Sequence, residues 1–178
     1  MPSLFSLSAA AACVGLVLAT PPLSHLHHGQ RNACLSAPDG PRLAAQFADL
    51  VGNYTAAKAD ALLLPDYEDY SDGINSLTGK PLGSETFAGR EAFKAAQVGH
   101  GGTPMVVDDV LATTCDTVVW TWTATFGAAN QTARGINVVR YVPDPANGTW
   151  WVARVDMEMN SLVYLQDLGG SWTPPTLE

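Results

Sequence analysis

The chain has 178 residues, of which 47% are hydrophobic and 15% charged, which excludes intrinsic disorder and leaves room for one domain with a proper core. With 9 Lys and Arg against 17 Asp and Glu, the formal net charge is -8. Phosphate backbones and anionic membrane surfaces repel such a chain, which excludes nucleic acid as a partner.

Leu7–Thr20 (LSAAAACVGLVLAT) is an uncharged apolar run, too short to span a bilayer as a helix, and Val17-Leu18-Ala19 forms a small-residue cleavage pattern within it. No basic side chain occurs between Met1 and Ser8, a departure from the usual signal peptide. Residues 1–19 are read as a secretory signal peptide cut near Ala19. The mature chain is then secreted or held in the secretory-pathway lumen, with no stable membrane insertion. Loss of Cys13 leaves Cys34 and Cys115, and in an oxidising compartment an isolated pair is most simply one disulfide. Three N-glycosylation sequons begin at Asn53, Asn130 and Asn147.

Residues 20–40 form a polar, proline-bearing leader with His25, His27 and His28, which lack a fixed third ligand for a metal. From Pro41 the spacing of Leu43, Phe47, Leu50, Val51 and Tyr54 predicts a helix, and Ala56–Leu64 a second, stopped at Pro65. Tyr67–Asp72 alternates as a short strand, with Tyr67, Asp69 and Ser71 on one face. Gly79–Gly83 is a turn-rich connection and Arg90–Gln97 a short helix. Met105–Leu111, Thr117–Phe126, Arg134–Val142 and Trp150–Val163 read as strands rich in Val, Ile, Thr and aromatics. Helices followed by antiparallel strands make an α+β fold over residues 41–170, with a tail at 171–178.

The order of these elements, together with Cys34-Leu35-Ser36, Ala59–Leu63, Tyr67–Ser76 (YEDYSDGINS), Pro81–Ser84, Thr114-Cys115-Asp116, Gly135-Ile136-Asn137 and Glu158–Ser161, resembles the NTF2-like (SnoaL-like) superfamily, in particular its fungal secreted branch. The resemblance implies a cone: helices packed on the concave face of a strongly bent antiparallel sheet, enclosing one cavity. It also implies isomerase, dehydratase or cyclase chemistry, or plain ligand binding, and fold alone does not choose among these.

Asp69 is the leading candidate for a general base, since a half-buried carboxylate becomes a better base near neutrality. Tyr54 resembles in position the tyrosine with which ketosteroid-isomerase-like relatives stabilise an oxyanion. The last strand carries Arg154, Asp156, Glu158 and Asn160 on one face and Ala153, Val155, Met157 and Met159 on the other. Hydropathy puts the Met/Val face in the core. The resemblance turns Glu158 and Asn160 into the cavity instead, with Asp156 and Glu158 as an acid–base pair and the apolar face on the convex side, where relatives form homodimers. The second reading is the expectation adopted. Asn137 stands where some relatives carry a second acid, and Tyr67, Trp120 and Trp122 complete the expected substrate-binding set. The ligand expected is a small hydrophobic molecule, and neither cofactor nor metal is called for.

Overall fold

A computed structural model describes residues 33–99 and 102–176. The expected signal peptide and most of the expected leader, with all four histidines, fall outside the described residues. Two helices come first, α1 (Asp39–Gly52) and α2 (Ala56–Leu62), then strand β1 (Leu63–Tyr70) and helix α3 (Asp72–Thr78). A two-residue strand β2 (Phe87–Ala88) and helix α4 (Arg90–Gln97) lead into β3 (Met105–Thr113), β4 (Thr117–Thr125), β5 (Thr132–Pro143) and β6 (Trp150–Met159), and α5 (Ser161–Asp167) closes the domain. The six strands form one sheet in the order β2-β1-β6-β5-β4-β3. β1 and β6 run parallel and every other pair is antiparallel. This is the α+β cone that the resemblance implies.

The apolar stripe of α1, with Leu43, Phe47 and Leu50 buried, packs against β3 and β4. Register shifts interrupt the β3–β4 ladder twice and the β5–β6 ladder between Arg140 and Tyr141. Such bulges bend a strand and raise its twist, which is how a sheet of this size curls around the helices. The Cys34–Cys115 disulfide ties the segment before α1 to the β3–β4 turn, with Leu35 N donating to Cys115 O alongside it. For a sequence separation of 81 the chain-entropy model gives about 4–5 kcal/mol of stabilisation.

Three sequence expectations are corrected. The second helix stops at Leu62, because Pro65 disfavours helical backbone at Leu64 and the chain is already extended at Leu63. Asp72–Thr78 is a helix: Ser71 Oγ caps it by accepting from Ile74 N at 3.1 Å, and Gly79, at φ 70°, ends it in the left-handed region. The last strand stops at Met159 rather than Val163, since Asn160 Oδ1 accepts from Val163 N at 3.2 Å and starts α5.

Candidate functional site

Parallel pairing with β6 settles the faces of β1. Asp69 lies opposite Val155, both buried, while Glu68 and Tyr70 lie opposite Arg154 and Asp156 on the outer face. The concave face and the helices enclose a cavity of about 360 Å³. Phe47 of α1, Phe93 of α4, Trp122 and Asn137 of the sheet and Tyr164 of α5 line it, with Asp69 the only acid among the described residues of the lining.

Asp69 is 5% exposed. Its Oδ2 accepts from Tyr67 Oη at 3.4 Å, and its Oδ1 has no hydrogen-bond partner. Burial pushes the carboxyl up from 3.8 to about 7; the Tyr67 hydroxyl and Lys80 pull it down, while Asp156 and Glu85 push it further up. Tyr67 does not line the cavity; it is fully buried, with its ring edge-on to Phe93, and holds Asp69 from below.

Asn137 is fully buried and reaches the cavity from β5. Its Oδ1 accepts from Trp122 Nε1 at 2.7 Å, which leaves Nδ2 as a donor without a partner. Trp122 lies flat over Gly135, its cross-strand partner, where a Cβ would come within 2.3 Å of the indole. Among the described buried side chains that line it, Asp69 offers an unpaired acceptor and Asn137 an unpaired amide donor, within largely apolar walls. Across two strand spacings of about 4.8 Å each, these groups face a common space.

The expected roles of the last strand are corrected. Val155, Met157 and Met159 line the cavity, so the Met/Val face is the inner one. Asp156 is gripped on the outer face by Arg154, through Nη2 at 2.6 Å and Nε at 2.8 Å, while Arg154 Nη1 reaches Glu68 at 3.0 Å. Glu158 accepts from Asp72 N at 2.7 Å and Gly73 N at 3.1 Å, capping α3. Asn160 caps α5. With its apolar face spent on the cavity, β6 presents charge on the convex side rather than an apolar dimer surface.

Tyr54 does not line the cavity; its ring packs edge-on against Phe93 with centroids 6.1 Å apart. Trp120 is fully buried core, edge-on to Phe47 at 6.2 Å. Asn53, Asn130 and Asn147 are all exposed. Sequence reasoning missed Lys80 and Thr86, which line the cavity from the segment between α3 and β2. That segment carries only turn signals, and no periodicity brings it back over Asp69. Among the described residues no group of three or more His, Cys, Asp and Glu could hold a metal ion, and no helix is long and apolar enough to cross a membrane.

The NTF2-like domain family matches residues 33–171, all of the strands and helices. The chain belongs to the NTF2-like family. Solved structures share its fold at low identity. IdmH from Streptomyces antibioticus, a candidate polyketide cyclase, is 15% identical with a TM-score of 0.54, over 73% of this chain and 98% of its own. A protein of ketosteroid isomerase-like fold from Catenulispora acidiphila, in complex with trimethylamine, is 12% identical with a TM-score of 0.54, over 75% of this chain and 98% of its own. TerC, co-crystallised with polyporic acid, is 16% identical with a TM-score of 0.51, over 74% of this chain and 98% of its own. No curated protein matches the chain in sequence.

Proposed function

We propose that this NTF2-like protein is a secretory-pathway enzyme that moves a proton next to a carbonyl in a small hydrophobic metabolite, without a cofactor. The observation that carries the reading is Asp69: buried, held by Tyr67 on one oxygen, free on the other, and titrating near neutrality inside an apolar cavity. Asp69 Oδ1 takes the proton from the carbon beside the carbonyl. The electron pair moves onto the carbonyl oxygen, which accepts a hydrogen bond from Asn137 Nδ2. Return of the same proton to a conjugated carbon completes an isomerisation and restores Asp69. A one-base cycle fits the cavity better than dehydration by an acid–base pair, because Asp156 and Glu158 are engaged elsewhere. The signal-peptide pattern, the Cys34–Cys115 bridge and the exposed sequons support a secretory route.

Deuterium wash-in from D2O at the acidic carbon of apolar ketones such as α-tetralone tests the reading. The wild type should exceed Asp69→Asn by about 100-fold or more, the usual worth of a positioned base. Equal rates across a panel of such ketones leave the second reading, a cavity that binds a hydrophobic ligand without turning it over. That alternative needs only the apolar lining that Phe47, Phe93, Trp122 and Phe126 provide and no ionised Asp69.

A further inference from the structure

Lys80 is the one cationic side chain among the described residues that line the cavity. Its ammonium turns back over the wall: Nζ donates to Thr86 O and lies 5.7 Å from the centroid of the Phe87 ring. Thr86 is itself fully buried, and its amide donates to Asp69 O at 2.6 Å. One residue thus fixes the Lys80 head to the strand that carries Asp69. An ammonium has three N–H donors, and Thr86 takes one. No carboxylate of the described residues lies within ion-pair distance of Nζ. In a chain of net charge -8, an exposed lysine on the cavity lining, in no ion pair with the described residues, is a selective feature.

We propose that the natural ligand is an apolar acid, its hydrophobic body between Phe47, Phe93, Trp122 and Phe126 and its carboxylate against the Lys80 ammonium. The assignment rests on the reading of this cavity as the ligand site and names the chemical class that it takes. Lys80 acts here as a specificity-determining residue. A carboxylate meets two free N–H donors, an alcohol meets the same donors without the charge, and an amine is repelled.

Phenylbutyrate, phenylbutanol and phenylbutylamine share one hydrophobic body and differ in charge, and their affinities for the disulfide-intact protein can be read by calorimetry and tryptophan fluorescence just below neutral pH. The acid should bind about 10-fold or more tightly than the alcohol, the usual worth of a charge-assisted hydrogen bond, and the amine most weakly. Lys80→Met should bring the acid down to the level of the alcohol, and Lys80→Arg should keep the preference. Equal affinity for acid and alcohol, a preference that survives Lys80→Met, or tightest binding of the amine would overturn the role of Lys80 while leaving the cavity a ligand site. If none of the three binds, the cavity reading fails and this assignment falls with it.

Discussion

Tyr67 Oη stands 3.4 Å from Asp69 Oδ2, two residues along one strand, and leaves Asp69 Oδ1 as the only oxygen of that carboxylate without a partner. The phenol stabilises the charged form of Asp69 from outside the cavity lining, so in the proposed reaction it would set the strength of the base without touching substrate. Tyr67→Phe should move the ionisation of Asp69 above its value of about 7. A rate that needs the carboxylate rises with pH through that ionisation, so the inflection of the pH–rate profile should move to higher pH. Carboxyl titration by NMR checks the direction directly. A fall in the inflection would remove Tyr67 as the controlling partner.

Asp69 should also mark the pH dependence of stability. Its folded-state value of about 7 lies above the ordinary 3.8, so the folded protein holds this proton more tightly than the unfolded chain does. The contribution to stability is complete below pH of about 3.8 and is lost progressively as pH rises towards 7. Asp69→Asn escapes that loss. Above neutrality the variant should be the more stable protein by up to roughly 4 kcal/mol, less the cost of an unpaired amide, and the gap should close in acid. Thermal unfolding of both proteins at mildly acid and mildly alkaline pH measures it.

Glu158 tests the division between cavity and scaffold. Its two oxygens accept from Asp72 N and Gly73 N at the start of α3. Glu158→Gln keeps one acceptor and loses the charge, and should cost about 1 kcal/mol of stability. Turnover and ligand affinity should stay within about twofold of wild type, since the side chain does not line the cavity. Denaturant unfolding and a binding titration separate the two effects, and a large loss of turnover without loss of stability would place Glu158 back in the chemistry.

Gly135 is where a single methyl group should disturb the site. A Cβ there would meet Trp122 at 2.3 Å and the carbonyl of Glu158 at 2.8 Å. Gly135→Ala should cost about 1–3 kcal/mol through overpacking and push the indole away from Asn137 Oδ1. Ligand affinity should fall and tryptophan emission should shift, both measurable on the folded variant.

Much of the architecture was legible in local pattern. The three-and-four spacing of Leu43, Phe47 and Leu50 marks the buried stripe of α1, and the strand alternation from Tyr67 to Ser71 puts Asp69 on the same side as Tyr67. The short helices α3 and α5 escaped notice because Asp72-Gly73 reads as a strand end and Ser161–Val163 as a continuation of the last strand, although the Ser71 and Asn160 caps and Gly79 were signals of their boundaries.

Faces and partners are a different matter. A period of two separates Val155, Met157 and Met159 from Arg154, Asp156 and Glu158, but it does not say on which side of the sheet the helices lie. That is decided by contacts such as Arg154 to Glu68 and Glu158 to Asp72, each 86 residues apart in the chain. Lys80 reaches the cavity for the same kind of reason, because a turn folds its ammonium onto Thr86 beside β1. By itself the sequence determined the longer helices and strands, the cysteine pair and the sharing of one strand face by Tyr67 and Asp69, because these follow from local periodicity and residue chemistry. Only the tertiary structure decided that the charged face of β6 points outward and that Asn137 and Lys80 join Asp69 around one cavity, because strand pairing across the whole chain sets which side of each strand is inside.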